Sequence, residues 1–227
     1  MNKIFYGGWE LQYFDKASNF RNYQFDLVKR FIKGNVAEVG PGNGVFLKYY
    51  LPLADTIDLF EPSENFLINL NKFKDTKVNI INSYFKENKN YYDTILYLDV
   101  LEHIKDDQSE VQAAYESLKK GGALIINVPA FQHLYSKFDK DIEHLRRYSK
   151  NTLNSLTTKL SFSQTNLFYY DSIGYLLSFA SKLITKDYLN NFDKKIKIWD
   201  SLIPFSKLID LLTLNKFGKS LIMICIK

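Results

Sequence analysis

Seven consecutive residues, Glu38-Val39-Gly40-Pro41-Gly42-Asn43-Gly44, carry the clearest chemical signal in the chain. Glycines without a Cβ let the backbone turn tightly and lie directly against a ligand, and the next helix offers unsatisfied N–H donors at its start. The apolar run Asn35 to Val39 just before them reads as a buried strand. The segment therefore sits where a strand passes into a helix, the edge at which an open α/β sheet takes its ligand. A second acid, Glu61, followed by Pro62, lies 21 residues after Gly40 at the end of another apolar run, Thr56 to Phe60. A carboxylate there can accept both hydroxyls of a ribose, so the pair implies an adenosine-containing ligand. The spacing narrows the choice. The third glycine of a dinucleotide fingerprint would fall at Val45, and no Gly-Lys-Ser/Thr follows to make a P-loop.

Glu38 adds a sign to the argument, because a carboxylate there repels pyrophosphate and attracts a cationic ligand end. S-adenosylmethionine (SAM), with its positive sulfonium and amino group, meets both demands, and Glu38, Gly40, Gly42, Asn43, Gly44, Glu61 and Pro62 are the expected contacts. Methyl transfer from a sulfonium has a good leaving group, so the protein mainly aligns the reactants and excludes water. A hydroxyl or ammonium acceptor must still lose a proton, and a neutral histidine suits that task near neutral pH. The chain has three histidines: His103, His133 and His144. His103 follows the apolar run Tyr92 to Val100 at the same sheet edge, so His103, His144 and Asp99 are the candidate catalytic residues, with Asp99 also facing the cofactor. Equally, Asp99 and Glu102 can be capping groups and His103 a surface histidine. Asp99, Glu102, His103 and His144 together are a candidate set for magnesium or manganese, which accept mixed oxygen and nitrogen ligands. The spacing acid-x-x-Glu-His with a later His is similar to that of metal-dependent small-RNA 2′-O-methyltransferases. Arg146 and Arg147, with Tyr148, can grip an anionic group on the acceptor through guanidinium forks. The alternative is a bridge to Asp139, Asp141 or Glu143.

The elements that must hold these residues follow from hydrophobic period. Apolar runs alternate with helical segments, the pattern of a mostly parallel sheet covered by helices. Beyond the strands already named, Val78 to Asn82, Tyr92 to Val100, Ala123 to Val128, Gln164 to Tyr170 and Leu221 to Ile226 complete seven. Phe20 to Lys33 makes a helix with Phe20, Tyr23, Leu27 and Phe31 on one face. Ser63, Asp106-Asp107 and Ser149 are helix caps, and Gly121-Gly122 stops the helix bearing Val111, Ala114, Tyr115 and Leu118. Pro129 closes the fifth strand. The 227 residues, 46% hydrophobic, suit one domain spanning 1–227. A helical insertion at about 174–218 places Ile173, Leu176, Leu177, Ala180 and Ile184 on one face, followed by Trp199, Leu202, Ile203, Leu208 and Leu212. That insertion reads as a cap over the acceptor pocket, as core or dimer packing, or as a membrane-surface element.

The net charge of +5 comes from scattered lysines, so nucleic acid is not an expected partner. Cys225 is the only cysteine, which excludes a disulfide framework and a thiolate zinc cluster. The uncharged stretch Ser172 to Ser181 is too short to span a membrane, and the start shows no signal-peptide core, so a cytoplasmic location is expected.

Successive blocks carry a family resemblance: Asn22-Tyr23, the glycine segment, Asp99-Val100-Leu101-Glu102-His103-Ile104, Leu118-Lys119-Lys120-Gly121-Gly122, Val128-Pro129-Ala130, and Tyr135-Ser136-Lys137-Phe138-Asp139 through His144-Leu145-Arg146-Arg147-Tyr148. Over roughly Asn19 to Tyr170 the chain resembles the class I SAM-dependent methyltransferases, in particular a type 11/12-like bacterial branch often associated with cell-surface glycan loci. The resemblance implies a Rossmann-like, doubly wound, seven-stranded, mostly parallel sheet with an antiparallel last strand. It implies an enzyme that moves a methyl group from SAM to a small-molecule, glycan or lipid-linked acceptor by O- or N-methylation, leaving S-adenosylhomocysteine. It further implies that Ser83 and Tyr84 flank the adenine, although the acid usual at that place is absent. Two rival readings stay open: a metal-assisted RNA 2′-O-methyltransferase and a non-catalytic SAM-binding module. Peripheral membrane contact and a homodimer are also open.

Overall fold

The computed structural model describes residues 5–73, 75–184 and 189–227, together with the backbone but not the side chains of Leu183 and Ile184. Seven strands, β1 (Gly34–Val39), β2 (Ala54–Phe60), β3 (Val78–Ile81), β4 (Tyr92–Leu98), β5 (Leu118–Pro129), β6 (Gln164–Tyr170) and β7 (Ser220–Ile226), form one sheet. Their order is β3-β2-β1-β4-β5-β7-β6. β7 runs antiparallel to both β5 and β6, while the pairs among β1 to β5 are parallel. This is the Rossmann-like, doubly wound arrangement, and it explains why strands such as Ala-Leu-Ile-Ile-Asn-Val at 123–128 are apolar on both faces.

Helices cover both faces in chain order: α1 (Leu11–Phe14), α2 (Ser18–Val28), α3 (Leu47–Tyr50), α4 (Glu64–Leu70), α5 (Asp107–Ser117), α6 (Lys137–Asp141), α7 (Lys150–Ser155), α8 (Ser172–Ile184) and α9 (Phe192–Leu212). Alternate strand residues feed two cores. Val36, Leu96, Ile125 and Ile222 pack with Phe20, Tyr23, Leu47, Tyr50 and Trp199 on one side. Ala37, Val39, Ile95, Ile126 and Met223 pack with Val111, Ala114 and Leu153 on the other.

Three local details depart from the sequence expectation. The helix expected to run to Gly121 ends at Ser117, and β5 starts at once with fully buried Leu118. Burying that side chain outweighs extending the helix toward a glycine stop. β4 ends at Leu98 rather than Val100, because Asp99 adopts a left-handed φ of 59° that a strand cannot hold. Ser63 precedes α4 but makes no side-chain cap; its hydroxyl donates to Asn65 and accepts from the Tyr6 N–H. Asp106 and Ser149 do cap their helices, accepting from the Ser109 and Thr152 N–H groups.

The insertion is a hairpin of α8 and α9 lying against α2. Trp199 and Ile203 are buried in the first core, whereas Leu208 and Leu212 face outward. Ile184, expected on the same face as Ile173, has its side chain outside the described residues. Buried acids fasten the hairpin. Asp210 of α9 accepts from the Asp171 N–H at 2.7 Å, the Ser172 N–H at 2.9 Å and the Tyr23 hydroxyl at 2.8 Å, and also from the Ser172 hydroxyl. Asp200 accepts from the Asn19 and Phe20 N–H groups at the start of α2. Pro204 lies inside α9. It has no N–H to give the Asp200 carbonyl four residues back, and that carbonyl accepts the Asn19 side-chain amide instead.

Replacing Asp210 by alanine removes the acceptor of four buried hydrogen bonds at once. Urea unfolding of Asp210→Ala at neutral pH is expected to show a loss of about 3 kcal/mol, the scale for orphaning a buried hydrogen-bonded carboxylate network.

Candidate active site

The carboxyl ends of β1, β2 and β4 open into a cavity of about 630 Å³. Its floor is the loop after β1. Gly40 has a φ of 64°, and a Cβ there would lie 2.8 Å from Val100 Cγ2, so the loop after β1 nests against the turn after β4 only as glycine. Gly42, with a φ of 55°, directs its N–H to the Glu61 carboxylate at 3.0 Å. The other Glu61 oxygen accepts the Ser63 N–H at 2.9 Å. One side chain thus ties the ends of β1 and β2 together, and burial raises its pKa against the pull of those two N–H groups.

Glu38 is buried on the core side of β1 and accepts the Tyr50 hydroxyl at 2.5 Å. Desolvation lifts its pKa to about 7, opposed by the Tyr50 hydrogen bond and the Arg21 charge. Arg21 projects from α2 into the same cavity, its Nη1 3.8 Å from Asp99. Asp99 accepts the Asn127 side-chain amide at 2.7 Å, and burial raises its pKa. The N-terminal segment closes the far side with Phe5, Tyr6, Glu10, Leu11 and Asp15. The lining holds seven acids (Glu10, Asp15, Glu38, Glu61, Asp99, Glu110 and Glu143) against the cations Arg21 and Lys105, so it favours a cationic occupant.

Of the residues expected to hold a cofactor, Glu38, Gly40, Gly42, Asn43, Glu61, Pro62, Tyr84 and Asp99 line the cavity together. Gly44 does not; it packs beneath Leu70 and Phe73. Ser83 turns away, its hydroxyl donating to the Tyr84 carbonyl, while Phe85 lines the wall instead. His103 lines the cavity, its ring 5.3 Å from Tyr6 and 4.8 Å from His144. Burial, and then the neighbouring His144, lower its pKa to about 4.

His144 and Glu102 stand behind it. His144 Nδ1 lies 3.0 Å from Asp139, and Asp139 is clasped by Arg147 through Nε at 2.7 Å and Nη2 at 3.2 Å. His144 Nε2 is 3.5 Å from Glu102 Oε1. Glu102, His103 and His144 offer ligand atoms within 4.8 Å of one another; Asp99, the fourth member of the expected set, is not in the group.

Arg146, Arg147 and Tyr148, expected at the acceptor, do not line the cavity. Arg146 pairs with Asp107 at 2.6 Å, Tyr148 donates to the same carboxylate at 2.7 Å, and Arg147 is buried on Asp139. Both guanidiniums are already spent on bridges. The sequence reading overlooked Arg21, Tyr6, Glu10 and Asp15, which lie on short helical or irregular segments before the first strand. The one available signal was a cation, Arg21, beside the Asn22-Tyr23 block.

A methyltransferase-domain family model matches residues 11–165. With the sheet order and the cradle in place, this identifies the protein as a class I SAM-dependent methyltransferase, and the chain belongs to the methyltransferase-domain family. Among solved structures it is similar to a SAM-dependent methyltransferase from Archaeoglobus fulgidus, at 17% identity and a TM-score of 0.65 over 96% of this chain and 97% of that one. It is also similar to Haemonchus contortus phosphoethanolamine N-methyltransferase 2 in complex with S-adenosyl-L-methionine, at 17% identity and a TM-score of 0.62 over 91% of this chain and 52% of that one. The same Haemonchus protein in complex with phosphomonomethylethanolamine and S-adenosylhomocysteine gives 17% identity and a TM-score of 0.62 over 100% of this chain and 55% of that one. The chain thus spans about half the length of the Haemonchus protein. At these identities the likeness is one of fold. No curated protein sequence matches.

Glu38 offers a direct check of this electrostatic picture. A carboxyl-detected NMR titration should place its midpoint near 7, and Tyr50→Phe, which deletes a hydrogen bond to the charged form, should move it upward.

Proposed function

We propose that the enzyme binds SAM in the cavity and transfers its methyl group to a hydroxyl or amine of a small-molecule, glycan or lipid-linked acceptor, with His103 taking the acceptor's proton. The observation that carries the reading is the pairing of the cradle with one cavity-lining histidine kept neutral by burial. SAM fits the residues present: a Cβ at Gly40 would meet Val100, so the bare backbone is what shapes the floor on which a ligand can lie. Glu61 keeps lone pairs for a ribose beyond those given to Gly42 and Ser63. Glu38 and Asp99 line the cavity and would hold the cationic end, and Arg21 would pair with its carboxylate. When bound, SAM supplies an activated methyl group on a sulfonium.

The chain's own residues do the rest. The segment 5–15 screens the cavity from water, which strengthens every charge interaction inside it. Tyr6 packs edge-on against His103 and holds the ring at the wall. His103 is unprotonated over the physiological range and can accept a proton, which a histidinium could not. Its tilt is set by His144, whose own orientation is fixed by Asp139 and, through it, by Arg147. Asp99 and Asn127 stiffen the strained turn between β4 and the acceptor side.

A second reading is favoured by Glu102. Both its oxygens are buried with no hydrogen-bond partner, and burial among Asp99 and Asp139 pushes its pKa well above the carboxylate range. A divalent cation held by Glu102, His103 and His144 would answer that need, with Asp139 orienting His144 from behind as carboxylates do for metal-bound imidazoles. The acceptor would then suit metal-assisted 2′-O-methylation of RNA. Under the first reading, transfer of radiolabelled methyl groups is unchanged by a chelator; loss of transfer in the chelator and its rescue by manganese would establish the second.

Two variants separate binding from chemistry. Gly42→Val forces a β-branched residue into the left-handed region, so calorimetry with S-adenosylhomocysteine should show a loss of about 2 kcal/mol, roughly 30-fold in affinity. His103→Ala should keep that affinity and slow methyl transfer about 100-fold. At saturating SAM the acid limb of kcat should lie near pH 4, the depressed value of His103, rather than near 6.5.

A further inference from the structure

The most conspicuous surface feature lies outside the cavity. Of the sixteen exposed large apolar side chains among the described residues, ten fall between Leu176 and Leu214, on or beside the α8–α9 hairpin. On α9 the inner face is accounted for by Ile196, Trp199, Ile203, Ser206 and Asp210, which are buried. The opposite face carries Phe205, Leu208, Leu211 and Leu212 at helical spacing, and Phe205 and Leu212 are 61% and 73% exposed. Leu176 and Phe179 of α8 are also open to solvent. A helix that is apolar on its outward side as well as its inward side has a second environment to enter.

Charge indicates which environment. Between Leu189 and Lys216 there are five lysines, at 194, 195, 197, 207 and 216, and three aspartates, at 193, 200 and 210. Asp200 and Asp210 are buried in hydrogen bonds to α2 and α8, so Asp193 is the one acid in this span that faces solvent. Lys194 and Lys197 precede Phe205 and Leu208 on the same outward face of the helix; Lys197 is paired with Asp193 at 2.6 Å and Lys207 with Asp26 at 3.3 Å, so the span keeps a surplus of lysine over acid. No helix among the described residues is long and apolar enough to cross a membrane. A two-fold contact between two copies of this face would set two net-positive surfaces against each other.

We propose that the outward face of the α8–α9 hairpin is a docking surface for an anionic lipid bilayer, with Phe205, Leu208, Leu211 and Leu212 entering the interface and the lysines meeting lipid phosphates. This is the arrangement of an interfacial amphipathic helix, in which apolar area supplies the insertion and basic side chains the preference for anionic lipid. It goes beyond the methyl-transfer reading and is independent of it, since it can be tested with no methyl acceptor present.

The test is co-sedimentation of the full chain with vesicles of phosphatidylcholine alone and of equal parts phosphatidylcholine and phosphatidylglycerol. Binding is expected with the mixed vesicles, weakened by added salt and at least about tenfold weaker with phosphatidylcholine alone. Phe205→Asp combined with Leu212→Asp should abolish it, while both exposed sites leave melting temperature and S-adenosylhomocysteine binding as in the parent. Lys194→Glu with Lys197→Glu should remove the preference for the anionic lipid. Failure to sediment with mixed vesicles, or sedimentation of the double aspartate variant like the parent, would overturn the proposal. So would a dimer in the parent that the aspartate variant disrupts, which would assign the face to a second copy of the chain.

Discussion

The site rests on one carboxylate. Parallel strands end side by side with their last carbonyls and the first N–H groups of the following loops in need of partners. At β1 and β2 the Glu61 side chain meets that need for Gly42 and Ser63 simultaneously. With those two loops joined, the turn after β4 can nest on Gly40 through Val100, and the space between the three strand ends becomes a cavity with fixed walls. The acids around it would repel one another strongly if all were charged. Burial opposes this by raising the pKa values of Glu38, Glu61 and Asp99, and at about 7 the Glu38 carboxyl stands close to its titration point at neutral pH. A cationic ligand can then draw out the charge it needs.

Much of this architecture was legible in the chain because it is written locally. The glycine cradle, the second acid at Glu61 and the apolar runs all specify their own neighbourhood, and a mostly parallel sheet covered by helices follows from their alternation. The errors have a common source in partners distant in sequence. Arg146 and Arg147 look available in a polar loop, but Asp107 and Asp139 occupy them. Ser83 is the exception: its hydroxyl is taken by its own neighbour, the Tyr84 carbonyl, and it does not line the cavity. Gly121 looks like a helix stop until the burial of Leu118 decides the boundary four residues sooner. The N-terminal segment could not be assigned to the cavity at all, since its helical elements are short and its role is defined by what it covers.

His103 illustrates how a chain can tune a group without touching it strongly. Its imidazole is flanked by aromatic edges from Tyr6 and His144, and burial disfavours its protonated form. The charge that could have opposed this, Asp139, is turned toward His144 instead. Arg147 completes that line, so the last ionic member of the series is buried well away from the cavity it serves. The segment from Ser136 to Tyr148 therefore braces the His103 edge of the cavity from behind through Asp139, His144 and Arg147, while its Glu143 and Leu145 lie in the wall itself.

Pro204 gives the insertion a fixed position. The carbonyl it leaves free in α9 is taken by Asn19, and the Asp200 carboxylate caps the adjoining turn of α2. Arg21, two residues along from Asn19, reaches into the cavity. A flaw in one helix thus becomes the pivot at which the outer hairpin is bolted to the wall of the reaction chamber. Any force that tilts the hairpin has a short, stiff lever on the guanidinium inside.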